Sequence, residues 1–185
     1  ITNKHVARAS ASMALRHSSM GNSPIVGLPN FHKNLVNHPD PNVDLCVSFC
    51  SGDLNNTPYE GNIIAYSYND IPTAEILSRY DYASRILIVG YPEGIIDESH
   101  GEPLFRSGIL STPPDKCFSG TRQFLVDASI WGGSSGSPVI LYDHEANIIA
   151  GGIKPYLIGI VRATALQAID LASKAGQEPT VDPDH

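Results

Sequence analysis

The sequence predicts an all-β fold, because short apolar runs recur along the chain and turn-forming residues separate them. Gly (16 residues) and Pro (14 residues) are scattered rather than clustered, which favours many turns between strands. Hydrophobic residues make up 42% of the chain and charged residues 17%, a balance typical of a packed globular protein. Only one stretch, near the C-terminus, has the composition of a longer helix.

The first half of the chain contains one clear strand and several weaker candidates. Residues 43–49 (VDLCVSF) alternate apolar and polar side chains, the period of a half-buried strand. Residues 1–6 (ITNKHV) are expected to form a strand end that runs into a turn, followed by a polar, irregular stretch over 7–42. Weaker strand candidates lie at 25–28, 35–36 and 63–68.

The second half has stronger strand signals and ends in a helical pattern. The apolar run at 85–91 and the run at 104–111 are the clearest strands, and a helix is expected at 163–175, before Gly176. Residues 73–80 are expected to be a helical turn or a connector. The remaining strand candidates are 124–128, 138–142, 148–152 and 157–161.

Charge and hydropathy exclude several classes of partner. The formal net charge is −7 and no basic run is present, so neither nucleic acid nor an anionic membrane surface is an expected partner. No apolar stretch approaches the roughly 20 residues that span a bilayer. No secretory signal is visible, but the chain starts at Ile1, which leaves the compartment open.

The cysteines do not form a disulfide framework. There are three of them, and Cys46 and Cys50 would lie about 13 Å apart in one strand, too far for a bridge. Both are expected to be buried small hydrophobic residues. A disulfide-free chain favours the cytoplasm. No CxxC pair or His cluster has metal-ligand spacing, so no metal or other cofactor is expected.

The densest chemical signal is WGGSSGSPV at 131–139. A Gly/Ser run is often a flexible linker, but this one is flanked by strand candidates and stopped by Pro138. Acyl transfer gives the pattern a physical reason, since a serine nucleophile must stand at the tip of a tight turn. Backbone N–H groups around it must point at the oxyanion that develops on the attacked carbonyl, and glycine allows that geometry.

The hexapeptide 133–138 resembles the G-x-S-G-[GS]-P loop of trypsin-like (chymotrypsin-fold) serine peptidases. The resemblance makes Ser135 the nucleophile and assigns the oxyanion hole to the amides of Gly133 and Ser135. Two further segments match in the order His, Asp, Ser that this family requires. ITNKHV at 1–6 is similar to the segment around the general base and selects His5, and NVDLCVSF at 42–49 is similar to the segment of the orienting carboxylate and selects Asp44.

Other candidates for the same roles have less support. None of the other six histidines has a matching context, and Asp127 resembles a residue of the strand that leads to the specificity pocket. The resemblance places Ser129 near the floor of that pocket and residues 159–162 (Gly159, Ile160, Val161 and Arg162) along its wall. An uncharged floor suggests a small or apolar preference, unless the side chain of Arg162 points inward.

A fourth matching segment is expected to support the fold rather than the mechanism. Residues 86–111 look like the opening of the second barrel in bacterial-type, disulfide-free relatives, with a V-G-Y-P-x-G turn at 89–94 and R-x-G-x-[IL] at 106–110. The resemblance therefore implies two six-stranded-type antiparallel β-barrels with a C-terminal helix.

The predicted domains follow from that resemblance and from a composition shift at 70–84. They are a remnant of the first barrel with the His and Asp (1–76), a second barrel with the Ser and the terminal helix (77–176), and a loose tail (177–185). The family has strands before the His segment, so the first barrel is expected to be incomplete and the chain a fragment of a longer one.

The expected function is hydrolysis of peptide bonds by a serine endopeptidase, with peptides or proteins as substrates and no cofactor. One alternative is a non-catalytic relative that binds extended peptides with the same fold. A second is an α/β-hydrolase esterase, which requires G-x-S-x-G followed by a His. The string at 133–137 lacks the final Gly, which argues against the esterase.

Overall fold

The computed structural model describes residues 1–9, 14–16, 25–27, 31–49, 66–97, 99, 102–142 and 155–162. These residues form mostly β-strands with a few short helices. In the first part of the chain, the elements are helix α1 (Lys4–Ala9), strands β1 (Ala14–Arg16) and β2 (Ile25–Gly27), a 3₁₀ turn (Phe31–Asn34), and strands β3 (Leu35–Asn37) and β4 (Cys46–Ser48). Strands β1 and β2 pair antiparallel, as do β3 and β4.

A five-stranded antiparallel sheet forms the main body of the described structure. It follows a 3₁₀ turn (Tyr68–Asp70) and helix α2 (Ala74–Leu77), and another 3₁₀ turn (Pro92–Gly94) follows its first strand. Its strand order is β7-β6-β5-β8-β9. The strands are β5 (Arg85–Gly90), β6 (Leu104–Leu110), β7 (Val126–Ala128), β8 (Pro138–Leu141) and β9 (Tyr156–Ile160).

The core lies on one face of this sheet. Strand β5 is rich in β-branched residues, and its alternation places Ile86 and Ile88 inward with 1% and 0% exposure. Burial of this face removes apolar surface from water and holds the five strands together. The other buried members of the cluster are Leu110, Val139, Leu141 and Val161.

Most strand predictions are confirmed, with ends that differ by a few residues. The strand predicted at 63–68 is not seen in its described part, 66–68, because a 3₁₀ turn begins at Tyr68. The helical turn expected at 73–80 is α2, and the strand expected at 43–49 is shortened to β4. Cys46 is buried as predicted, and burial raises the pKa of its thiol. Cys117 is exposed, and both cysteines are free. The strand expected at 148–152, the helix at 163–175 and Cys50 lie outside the described residues.

The expectation for residues 1–6 is wrong in part. Thr2 forms an isolated antiparallel bridge with Cys46, as a strand end would, but the chain then enters helix α1 instead of a turn. Four of the six residues of this helix, Lys4, Ala7, Arg8 and Ala9, favour helices, and Lys4 and Ala7 share its buried face.

The two predicted barrels are not seen as closed structures. None of the sheets in the described ranges closes on itself, and those of the first part are two-stranded. The two-barrel architecture and the domain boundary at 76/77 therefore stay predictions. None of the described helices is long and apolar enough to cross a membrane.

Truncation of Ile88 to Ala should destabilise the sheet much more than the same change at Ile109. Ile88 is fully buried on β5, whereas Ile109 on the adjacent strand is 38% exposed. We expect Ile88→Ala to lower the free energy of unfolding by about 2–5 kcal/mol and Ile109→Ala by about 0.5 kcal/mol or less. Urea titration of both variants measures the difference, and equal losses would contradict this placement of the core.

Candidate active site

Helix α1 and the segment before strand β4 bring His5 next to Asp44. The bridge between Thr2 and Cys46 aligns the two segments, with backbone hydrogen bonds of 3.0 and 2.9 Å. The side-chain amide of Asn3 donates to the carbonyl of Asp44 at 3.0 Å. Asn3 is 1% exposed, so this contact fixes the start of the helix against the backbone of Asp44.

Lys4 ties the same helix to the loop that leads to Asp44. Its Nζ donates to the carbonyls of His38 and Asp40, each at 3.2 Å. The loop is closed on itself by the amide of Asn42, which donates to the side chain of Asp40 at 2.9 Å. The segments that carry His5 and Asp44 are therefore held together by hydrogen bonds other than the one between the two side chains.

The side chains of His5 and Asp44 form a close hydrogen-bonded pair. His5 Nδ1 lies 2.5 Å from Asp44 Oδ2, and the backbone amide of His5 donates to Oδ1 at 3.1 Å. Burial opposes ionisation of this carboxyl. The hydrogen bonds and the charges of His5 and Arg162 outweigh that effect, so the pKa of Asp44 is lowered. An ionised Asp44 only accepts, so Nδ1 carries a proton and a neutral His5 keeps Nε2 as an acceptor.

A cavity of about 600 Å³ opens beside this pair. His5 is 52% exposed there, so a ligand can reach the imidazole. Positive side chains predominate among the described lining residues, in which Asp44 is the only carboxylate. The lining residues are Lys4, His5, Arg8, Asn37, Pro41, Asn42, Asp44 and Arg162.

Ser135 lies on the turn between β7 and β8, next to the end of β9. Gly136 N donates to Val161 O at 2.9 Å, and Val161 N donates to Ser137 O at 2.8 Å. The hydroxyl of Ser135 donates to the carbonyl of Arg162 at 3.1 Å. Among the described residues, no hydrogen bond joins Ser135 to His5, although Arg162 lies beside both.

The two adjacent serines of the turn have different environments. Ser134 is 1% exposed and its Oγ accepts a hydrogen bond from Arg106 Nη1 at 2.8 Å, whereas Ser135 is half-buried. The amides of Ser134 and Gly136 donate to backbone carbonyls. Those of Gly133 and Ser135 have no acceptor within the described ranges, which leaves two N–H groups for a ligand oxygen.

Gly136 and Thr2 join the serine turn to the segment that carries His5. Gly136 has φ +89°, and a Cβ added to it would lie 2.7 Å from Thr2 Oγ1. Only glycine combines that backbone conformation with so close an approach. Thr2 belongs to the stretch just before helix α1, so the start of the segment that carries His5 lies against the serine turn.

The segment from 86 to 111, predicted to serve only the fold, also contacts the serine turn. The amide of Glu93 donates to Gly132 O at 2.7 Å, and a Cβ on Gly133, which has φ +76°, would lie 2.9 Å from Glu93 N. The Oγ of Ser137 occupies the space that a Cβ on Gly90 would need. This role was missed, although the signal was present: Arg106 shares a strand face with Leu110 in an apolar run.

The residues predicted to line a specificity pocket are close to the turn but differ in what they present. Ser129 is exposed, and its carbonyl accepts from Arg106. A Cβ on Gly159 would lie 2.9 Å from Phe124 Cζ, so an aromatic ring covers this glycine. The side chain of Val161 belongs to the core. Ile160 is half-buried at the end of β9, and only Arg162 is seen to reach the cavity beside His5.

Comparison with known proteins identifies the family. The sequence model of the trypsin-like peptidase domain matches residues 1–150, which include the His5, Asp44 and Ser135 segments. The chain belongs to the trypsin-like peptidase domain family. Membership supports peptidase activity in general, a hydrolase function, and peptides or proteins as substrates. No curated protein and no solved structure matches the chain significantly.

Substitution of Gly136 tests the contact between the serine turn and Thr2. Gly136→Ala and Gly120→Ala both place a side chain at positive φ, which costs about 1–2 kcal/mol. Only at Gly136 does the new Cβ meet a neighbour, because nothing lies within 4 Å of a Cβ on Gly120. We expect Gly136→Ala to lower the urea midpoint more, and Thr2→Ala to restore part of that loss. Equal losses for the two glycines would contradict the contact.

The Asp44 carboxylate should contribute stability that depends on pH. Its pKa is lowered in the folded state, so the contribution is present above the unfolded pKa of about 3.9 and is lost as the pH falls through the folded pKa. We expect the advantage of wild type over Asp44→Asn to be constant above about pH 5 and to shrink below about pH 4. Urea titrations between pH 2.5 and 7 measure it. An advantage that grows on acidification would contradict the assigned pairing.

Proposed function

We propose that the protein is a serine endopeptidase that cleaves peptide bonds through an acyl-enzyme on Ser135. His5 acts as general base and Asp44 orients it. The observation that carries the proposal is the pairing of His5 Nδ1 with Asp44 Oδ2 at 2.5 Å in a chain of the peptidase family. That pairing directs Nε2 of His5 away from the carboxylate and leaves it to accept a proton.

In the first step, Ser135 Oγ gives its proton to His5 Nε2 and bonds to the carbonyl carbon of the substrate. The hydroxyl must therefore leave the carbonyl of Arg162, to which it donates in the free protein. Catalytic hydrogen bonds are often long or misaligned before substrate binds. The negative charge on the substrate oxygen is stabilised by the amides of Gly133 and Ser135.

In the following steps, the C–N bond breaks as the imidazolium of His5 returns its proton to the leaving amine. Water then attacks the acyl-enzyme with His5 again as base, and the acid product leaves Ser135. The substrate is held extended along the end of β9, the last strand of the described sheet, near Ser129 and residues 159–162. No cofactor takes part in these steps.

A fluorophosphonate probe tests the nucleophile in the full-length protein. The probe is attacked by an activated serine, so wild type should be labelled covalently and Ser135→Ala should not. Ser134→Ala is the matched variant, because it removes the adjacent hydroxyl but not the nucleophile, so it should still be labelled, although at a reduced rate. His5→Ala should lower the labelling rate by at least about 10²-fold.

Mass spectrometry of the labelled peptide locates the adduct, and cleavage of unstructured protein substrates measures turnover. Labelling at Ser134, or labelling that survives Ser135→Ala, would overturn the assignment of the nucleophile. Failure of wild type to label, together with measurable binding of extended peptides, would favour the non-catalytic alternative.

A further inference from the structure

Arg106 is a charged residue in the apolar face of the main sheet. Strand pairing sets it opposite Ile88, which in turn lies opposite Val139. Residues directly opposite one another point to the same face of a sheet. Ile88 and Val139 are core residues with 0% and 3% exposure, and Arg106 is 8% exposed. The side chain of Arg106 therefore leaves the sheet on its buried, apolar face, in the same row as Ile88 and Val139.

The guanidinium ends at the serine turn. Arg106 Nη1 donates to Ser134 Oγ at 2.8 Å and to Ser129 O at 3.3 Å. Its Nη2 lies 3.9 Å from the position of a Cβ on Gly90. The guanidinium therefore lies beside Gly90, whose missing side chain leaves room for the Oγ of Ser137.

Stability alone does not account for a cation at this position. No carboxylate pairs with Arg106 in the part of the chain that the structure describes, and its Nε and Nη2 are buried without a hydrogen-bond partner. Burial of such a charge is costly, and an apolar residue of similar volume would suit the row better. Arg stays protonated in proteins, so its burial as a cation lowers the stability of the folded state.

The two acceptors of Arg106 lie on either side of Gly133 along the chain. Ser129 O lies before the turn and Ser134 Oγ lies directly before Ser135. Ser134 is also held through its backbone, because its amide donates to Trp131 O at 3.2 Å and its carbonyl accepts from Ser137 N at 3.0 Å. Gly133, whose amide has no acceptor among the described residues, lies within this span.

We propose that Arg106 is a positioning residue, which fixes Ser134 and Ser129 so that the amide of Gly133 and the hydroxyl of Ser135 are held in the orientation that catalysis needs. This proposal rests on the function proposed above. Hydrogen bonds from a charged donor are stronger than neutral ones, so a single guanidinium can hold both ends of the turn. The buried charge is thus retained for the geometry of the site.

The test combines kinetics of peptide cleavage with variants of both partners in the full-length protein. Arg106→Met keeps the volume and removes the donors. We expect kcat to fall about 10- to 100-fold, the effect of a small displacement of catalytic groups, with KM within about threefold of wild type. Ser134→Ala removes only the acceptor and should lower kcat in the same direction. The double variant should lose no more than the larger single effect, because both remove one interaction.

Two further variants serve as controls. Arg106→Lys keeps a donor that reaches one acceptor and should recover part of the lost kcat. Arg79→Met removes an exposed arginine just after helix α2, whose ion-pair partner is Glu75 on that helix. This variant should leave kcat unchanged. Full kcat in a folded Arg106→Met, or in Ser134→Ala if Arg106→Met does not fold, would overturn the proposal.

Amide hydrogen exchange over residues 131–136 separates this proposal from the proposed function. Loss of the guanidinium should increase exchange at the amides of Ser134 and Gly136 by at least about tenfold, whether or not the protein cleaves peptides. Unlabelled wild type with increased exchange in Arg106→Met would reject the peptidase function but keep the role of Arg106 in the turn. Unchanged exchange would overturn the positioning role itself.

Discussion

The position of β8 between β5 and β9 is the constraint on which the candidate site depends. The register pairs Ile88 with Val139 on one side and Pro138 with Ile160 on the other. Ser137 lies two residues beyond Val139, next to Gly90 at the end of β5, and one residue beyond Pro138, where its carbonyl accepts from the amide of Val161. The turn before β8 therefore lies between the end of β5 and the end of β9, which brings Ser135 close to Arg162. An altered register would move the hydroxyl to another place in the sheet.

Close packing of backbone around the turn explains its glycines. Gly133 approaches Glu93 and Gly136 approaches Thr2, each at a positive φ that other residues adopt only with strain. The turn therefore has close neighbours on two sides, Glu93 and Thr2, which in the proposed mechanism would hold the amides around Ser135 in place. Preorganised donors of this kind act on a developing charge without a cost of rearrangement.

Charges are arranged differently on the two sides of the site. At the surface, burial opposes ionisation of Asp44, but the hydrogen bonds from His5 and the charges of His5 and Arg162 outweigh burial and lower the pKa of this carboxyl. Beneath the turn, Arg106 is buried without a carboxylate among the described residues and bonds to neutral oxygens. The charge of Arg162 thus affects the ionisation of Asp44, whereas Arg106 contacts the turn through directed hydrogen bonds.

Much of the local structure was predictable because short-range chemistry decides it. The alternation in 43–49 and the apolar runs at 85–91 and 104–111 indicated strands, and each run contains one in the structure. The helix at Lys4–Ala9 was missed, because six residues give too short a pattern to distinguish from a turn. The Gly/Ser run indicated a tight turn, and two of its three glycines, Gly133 and Gly136, have positive φ.

The sequence by itself determined which residue types are available for acyl transfer and the order in which they occur, since these are properties of the chain. Tertiary structure alone decided that Thr2 meets Gly136, that the carbonyl of Arg162 receives the hydroxyl of Ser135, and that the strand with Arg106 supports the same turn. These contacts join residues far apart in the chain. They depend on strand register and on the space that glycine leaves because it has no side chain. A local sequence pattern encodes neither.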